Sequence, residues 1–413
     1  METSDRDSDV QKWLKVALAQ ENLDNFSVTI TGSSEKGDGY IGDVIFVTVT
    51  GTDKQGKNKE YDLVLKCSKP STALMENVPA FSTAFVREIY MYQHVFPLFK
   101  QLQITKGIEQ PFDSVPKCYG VYSDESRRVL VLENLKKLGY DLWPKAVPLT
   151  RQVVDLVIRQ YAKYHATSVA FENQYPEKFQ KLLSDSTEDM LKQLIESDDF
   201  VKLFKTTVDE VYDVVKDDVK SDTSEQWLKL KDQVTFICGE MTPDIDDLKV
   251  INHGDSWVNN FLYKFENEDK TKISKVAILD WQLSKYTSPV TDLSYFLFAS
   301  LSEEDIADID TILRDYHKQL CEYLRKLDSN FAGTYTLEKL FEDWRKYGIY
   351  GLLICIYPIK SLYSGKEDLP DIAEVADKGA AFTESFKFEA KDKSGFKNRM
   401  RPIVEYAVKN NLI

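Results

Sequence analysis

Between Val250 and Asp292 the chain leaves little freedom in how it can be folded. The stretch opens Val250-Ile251-Asn252-His253-Gly254-Asp255-Ser256-Trp257-Val258-Asn259-Asn260-Phe261-Leu262-Tyr263. It resumes after a charged turn at Val276-Ala277-Ile278-Leu279-Asp280-Trp281-Gln282 and closes Ser288-Pro289-Val290-Thr291-Asp292-Leu293. Phe261-Leu262-Tyr263 and Val276-Ala277-Ile278-Leu279 read as strands. The polar run Glu266-Asn267-Glu268-Asp269-Lys270 between them reads as a turn, which predicts a hairpin. Such a hairpin holds Asn260 at the start of one strand and Asp280 at the end of the other, aimed at one point. An amide oxygen and a carboxylate are donors suited to Mg²⁺, which keeps several waters and also takes phosphate oxygens. Asp255, five residues before Asn260, is left to act on a hydroxyl.

His253-x-Asp255-x-x-x-x-Asn260, followed by a strand ending in Asp280, resembles the catalytic and metal-binding loops of kinase-fold phosphotransferases, where H-R-D-x-x-x-x-N precedes D-F-G. Here Gly254 stands in place of the Arg and Trp281-Gln282 in place of Phe-Gly. The H-G-D form is similar to choline kinases and aminoglycoside phosphotransferases. The longer string, with Trp257-Val258-Asn259-Asn260 and Asp280-Trp281-Gln282-Leu283-Ser284, most resembles the insect ecdysteroid kinase-like family, over nearly the whole chain. The resemblance implies ATP as donor and Mg²⁺ as cation. It also implies a two-lobed protein-kinase-like α+β fold, with a small antiparallel β-rich N-lobe and a larger, mainly helical C-lobe.

Upstream, Val10, Trp13, Leu14, Ala17 and Leu18 recur at helical spacing after Asp7-Ser8-Asp9, which predicts a helix packed on the first lobe. A small-residue loop, Thr31 to Tyr40, separates the strand Val28-Thr29-Ile30 from the β-branched run Val44 to Thr50. Backbone N–H groups of such a loop can approach phosphate oxygens, so Gly37, Gly39 and Tyr40 are expected over the triphosphate. The family shows a Gly-Asp-Asn-Tyr core here, and Gly39 takes the place of its Asn. No G-x-x-x-x-G-K-[ST] occurs, so this is not a P-loop protein.

Lys66 lies on the apolar strand Tyr61 to Cys67, where an unpaired ammonium is costly. Glu88 lies on a helix predicted from about Ser82 to Phe99. A strand Lys with a helical Glu is the pair that orients the α- and β-phosphates in kinase folds, and Val64-Leu65-Lys66 and Arg87-Glu88-Ile89 both resemble the family. Pro116 to Tyr122 and Arg128 to Leu132 form a second hairpin that runs into Glu133-Asn134-Leu135. By resemblance this is the hinge, where backbone groups at Glu133 and Leu135 meet the adenine edge. The predicted lobes are residues 1–132 and 133–413.

The second lobe is expected to hold one long helix after Thr150, with His165 as a structural residue. A motif-free acidic region from Phe171 to Gly239 is expected to shape an acceptor site, and helical regions follow near 303–329, 337–363 and 373–411. Asp292 either caps its own helix or braces the His253 loop.

Composition narrows the function. A net charge of −14 with no basic block argues against nucleic-acid binding. Five cysteines with no Cys-x-x-Cys pair argue against a zinc site and for a reducing compartment. No signal peptide is visible, and the most apolar window, Tyr350 to Tyr357, is too short to span a membrane. A monomeric cytoplasmic protein is expected. Asp292 follows Asp280 by twelve positions, too few for the activation segment and A-P-E of a protein kinase. The acceptor is therefore expected to be a small molecule. By resemblance it is a hydroxyl of an ecdysteroid-like steroid or of a xenobiotic such as a plant metabolite, in hormone inactivation or detoxification. A choline- or aminoglycoside-type kinase is one competing reading. A non-catalytic kinase-fold binding protein is another, and it predicts loss of Lys66, Asp255, Asn260 or Asp280, all of which are present.

Overall fold

The computed structural model describes residues 3–33, 42–68, 79–124, 127–186, 189–241, 243–244, 247–267, 272–365, 367, 375 and 382–413. The first half is organised by β-branched alternation. Strands β1 (Leu23–Ser33), β2 (Gly42–Asp53), β3 (Asn58–Ser68), β4 (Cys118–Ser123) and β5 (Arg128–Glu133) form an antiparallel sheet in the order β1-β2-β3-β5-β4. This order puts β3 at the centre, with Lys66 opposite Val44 of β2 and Leu130 of β5. Successive side chains on a strand take opposite faces. Ile45, Val47, Leu63, Leu65, Cys67, Val129 and Val131 thus bury together against Val10, Trp13, Leu14 and Ala17 of helix α1 (Thr3–Ala17). Lys66, one residue out of phase with Leu65 and Cys67, takes the other face. The loop holding Gly37, Gly39 and Tyr40 lies outside the described residues.

The helix expected over 82–99 is longer and interrupted. It comprises α2 (Pro79–Tyr90), a π turn (Met91–Val95) and α3 (Phe96–Thr105). Met91, Tyr92, Val95, Phe99 and Leu102 belong to the large core shared with the C-terminal helices, not to the core between sheet and α1. The helix thus ties the sheet to the helical half instead of belonging to the sheet alone.

That half is built on α4 (Arg151–Gln174), which starts after Thr150 without a side-chain cap and is buried along most of its length. Short strands frame the constrained stretch. Strand β6 (Tyr140–Asp141) pairs with β8 (Phe261–Phe265), and β7 (Val250–Ile251) pairs with β10 (Tyr286–Thr287). The expected hairpin is β8 (Phe261–Phe265) with β9 (Ile273–Ile278), with Phe261 opposite Ile278. Helices α5 (Val290–Ser300), α6 (Ile309–Lys326), α7 (Ile349–Ile354) and α8 (Lys393–Lys409) complete the packing. Of the helical region expected near 373–411, the described residues hold a 3₁₀ turn (Phe382–Phe386), a non-helical stretch over 387–392 and α8. The architecture is α+β, an antiparallel sheet followed by a mainly helical region. Among the described residues no helix is long and apolar enough to cross a membrane, and none of the five cysteines is in a disulfide.

Every residue of α5 is buried, because α7 crosses it at a glycine. A Cβ on Gly351 would lie 2.3 Å from the Ser294 carbonyl carbon and 2.5 Å from the Tyr295 nitrogen. The Gly351 N–H donates to Ser294 Oγ at 3.1 Å. Gly351→Ala is therefore expected to destabilise the fold by about 1–3 kcal/mol, as overpacking does, in urea unfolding. A variant as stable as the parent would contradict this close crossing.

Candidate active site

Lys66 is where three distant segments meet. Its Nζ lies 2.7 Å from Glu88 Oε2 and 2.9 Å from Asp280 Oδ1. Burial alone would push the ammonium towards neutrality, but the charges of Asp280 and Glu88 outweigh it and hold Lys66 protonated. Glu88 is almost fully buried, and burial pushes its carboxyl up against the pull of Lys66. Gln282 Nε2 donates to the same Glu88 oxygen at 3.3 Å. Asp280, with 33% of its side chain exposed, keeps carboxylate surface open to solvent. It takes a left-handed backbone, φ 64°, a conformation tolerated by Asp but not free of cost. The next residue fixes that turn. Trp281 is fully buried, its indole N–H donates to the Ile278 carbonyl at 3.1 Å, and its ring meets Phe96, Tyr164 and His253 edge-on.

The loop before Asn260 hangs on Asp292. This carboxylate, wholly buried, accepts the His253 N–H at 2.7 Å, the Gly254 N–H at 2.8 Å and the Ser256 hydroxyl at 3.0 Å. His165 Nε2 lies 3.1 Å from it, and His165 Nδ1 lies 2.9 Å from the Tyr316 hydroxyl. Burial would raise the Asp292 pKa, but the hydrogen bond and charge of His165, with the donors of the loop, hold it below the usual carboxylate range. Asp292 thus braces the loop, and His165 is structural. Burial keeps His253 neutral, and its Nε2 donates to the Leu279 carbonyl at 2.8 Å. Gly254 has φ 87°, and a Cβ there would fall 2.2 Å from the Leu283 oxygen, so no larger residue fits between His253 and Asp255.

Both oxygens of Asp255 are engaged: Oδ2 by Asn260 Nδ2 at 2.7 Å and Oδ1 by the Tyr295 hydroxyl at 3.0 Å. The side chain is half-buried. Burial first, then the charge of Asp280, push its pKa up to about 7, against the pull of Asn260, Tyr295 and Lys66. With its amide nitrogen turned to Asp255, Asn260 has its amide oxygen left for a cation. Its carbonyl accepts the Leu279 N–H at 2.8 Å, which sets it beside the residue preceding Asp280. The structure thus joins Lys66, Glu88 and Asp280 to Asp255 and Asn260 through the β8–β9 hairpin. Among the described residues no group of three or more His, Cys, Asp or Glu is placed to hold a metal. A cation on Asn260 and Asp280 would need further oxygens from phosphates and water, which is how Mg²⁺ is commonly held.

Glu133 ends β5 opposite Leu63, three residues beyond the Leu130 that faces Lys66, or about 10 Å along the strand. Leu135 packs with Leu262, Ala277, Tyr140 and Leu279. Leu279 adjoins Asp280 and Leu262 stands two positions after Asn260, so the cluster links the Glu133–Leu135 segment to the hairpin. Gln282 and Tyr295 were not singled out in the sequence. A signal for Tyr295 existed, since it stands three residues after Asp292 and hence on the same side of a helix.

The profile of the ecdysteroid kinase-like family matches residues 36–329. A 4-hydroxytryptamine kinase from Psilocybe cubensis is 24% identical over 282 residues, which cover 65% of this chain and 69% of that protein. A solved GDP complex of an aminoglycoside 2'-phosphotransferase IIIa point mutant is 13% identical, covers 98% of both chains and superposes with a TM-score of 0.43.

Asp292→Asn tests the bracing. An amide presents N–H to donors it must now face, and it removes the charge beside His165. We expect a loss of about 3 kcal/mol in chemical unfolding, the usual scale for an uncompensated buried polar network. Unchanged stability would contradict the bracing role.

Proposed function

The chain belongs to the ecdysteroid kinase-like family and is a small-molecule kinase acting on a hydroxyl group; we propose that ATP with Mg²⁺ is its donor and that transfer occurs at the Lys66–Asp255 cleft. The observation that carries this reading is the Lys66 ammonium held between Glu88 and Asp280. Lys66, steadied by Glu88 and Gln282, orients the α- and β-phosphates. Asn260 and Asp280 hold the cation, which when bound offsets the charge on the transferring phosphoryl oxygens. Glu133 and Leu135 offer backbone groups to the adenine edge, and Leu262 with Leu135 supplies an apolar surface for the ring. The loop with Gly37, Gly39 and Tyr40 is proposed to cover the phosphates.

Asp255 takes the acceptor proton. A base works best with a pKa near the working pH, and burial beside Asp280 moves this carboxyl in that direction. Asn260 and Tyr295 keep it from rotating. A cation that offsets the charge of Asp280 would remove the second cause of this rise and leave the first, burial.

For the acceptor we favour a ring-borne hydroxyl, on an ecdysteroid-like steroid or a foreign or plant-derived ring compound. The family supports this reading, as does a relative whose name gives a hydroxylated tryptamine as acceptor. An ATP-consumption screen against hydroxylated steroids, choline-like amines and plant glycosides, with mass spectrometry of products, tests it. A phosphorylated ring hydroxyl is expected, and phosphorylation of choline-like amines alone would overturn the acceptor class.

Two variants separate binding from chemistry. Asp255→Asn should keep Mg·ATP affinity within a few-fold of the parent and lower turnover by roughly a hundredfold or more. Lys66→Met should weaken nucleotide binding as well. Unchanged turnover in Asp255→Asn would rule out the base.

Tyr295→Phe gives a pH test. It removes a donor to the carboxylate, so the acid limb of kcat/KM for the acceptor should move to higher pH by about 1, the scale of one hydrogen bond to a charged group. A limb that stays in place would remove Tyr295 from the account.

A further inference from the structure

Against Val258 of the catalytic loop lies a small cavity that the chemistry above does not use. Val258 of the loop lines it, together with Ser300 at the end of α5, Tyr363, and Arg399 of α8; aliphatic side chains such as Val147 and Leu362 close the rest. The centre of a water-sized sphere can range over about 10 Å³ there, enough for roughly one water-sized occupant.

Two polar groups are left over at this cavity. Arg399 is only 8% exposed. Among the described residues its guanidinium has neither an ion pair nor a hydrogen bond, unlike Arg401 two positions on, which pairs with Glu303. The titratable groups nearest to Arg399 are Tyr363 and Cys355, and both are kept neutral by burial. The Ser300 hydroxyl, on a residue 2% exposed, has no hydrogen-bond partner either. The Tyr363 hydroxyl reaches the Ala146 carbonyl only at 3.5 Å. A buried charge without a counter-charge is costly, and arginine stays protonated instead of escaping the cost by neutralising. Consistent with an uncompensated site, burial pushes the guanidinium down to about 10. A water in the cavity would meet the hydrogen-bonding need but not the charge, whereas an anion meets both. The space suits a monatomic ion better than a carboxylate-bearing organic molecule.

We propose that the cavity between Arg399 and Ser300 is a binding site for a small monovalent anion of halide size, held by the guanidinium and the serine hydroxyl behind Val258 of the catalytic loop. The chain carries a net charge of −14, so general attraction would not draw anions here, and a response to halide reports the site. An occupant would also stabilise the place where α5, α8 and the turn carrying Asn260 meet.

The test uses the full chain without nucleotide, and therefore does not depend on the kinase reading. Chloride replaces gluconate, an anion too large for the cavity, at constant ionic strength, and the melting temperature is followed. At tenfold excess over Kd a bound anion should raise it by about 2 °C. Arg399→Gln should abolish the rise. Ser300→Ala, which removes only a hydroxyl and keeps the fold testable if the arginine variant does not express, should require several-fold more chloride for the same rise. Crystals grown in bromide should show an anomalous peak between Arg399 and Ser300. A chloride response equal in the parent and both variants, or a bromide crystal with only water at that position, would overturn the proposal.

Discussion

A largely buried ammonium shared by two carboxylates holds together groups that would otherwise repel. Removing the ammonium leaves two carboxylates without a counter-charge, and such losses cost several kcal/mol where replacing the whole set need not. In this protein the three groups come from the centre of a sheet, from a helix that leaves the sheet for the other core, and from the end of a hairpin in the helical half: Lys66, Glu88 and Asp280. Their pairing therefore couples the two halves in register. It also explains why Gln282 follows Asp280 by two positions, since its amide reaches Glu88 and closes the group.

A second buried carboxylate plays the corresponding part for the loop. Asp292 is turned into the core by α5 and holds two backbone N–H groups and one hydroxyl of the segment that carries Asp255. Three residues on, Tyr295 reaches Asp255 itself. One fully buried helix thus sets both the path of the loop and the orientation of Asp255, and α7 presses on it at Gly351. Asp255, the proposed base, is the carboxylate left half-open and raised in pKa, while the bracing carboxylate is closed off and lowered. Two aspartates 37 positions apart are given opposite tasks by their surroundings.

Much of this was legible in the sequence because it is written in local spacing. The β8–β9 hairpin, the strand carrying Lys66 and the helix carrying Glu88 follow from period-two and helical patterns with turn residues between them. The bounds of that helix were not legible. A π turn at Met91–Val95 shifts the buried face, and no local pattern marks which of two cores a helix will join. Within the C-terminal region expected to be helical, residues 387–392 are not helical, since apolar content alone does not distinguish a helix from a non-helical segment packed on a core. Gln282 and Tyr295 were missed because their roles exist only through partners 194 and 40 positions away. Arg399 and Ser300 show the same limit, for nothing nearby in the chain marks an arginine as buried and unpaired. The loop with Gly37, Gly39 and Tyr40 lies outside the described residues, so its part in the cleft rests on the sequence alone.

The central claim is that Asn260 and Asp280 form one cation site with the nucleotide phosphates, in the cleft fixed by Lys66. It is tested most directly by titrating nucleotide into the parent and into Asp280→Asn, each with and without Mg²⁺, by calorimetry. The account predicts that Mg²⁺ tightens nucleotide binding by roughly tenfold or more in the parent, about 1.4 kcal/mol of coupling or more, and that Asp280→Asn loses most of this coupling. Equal Mg²⁺ dependence in the two proteins would contradict it.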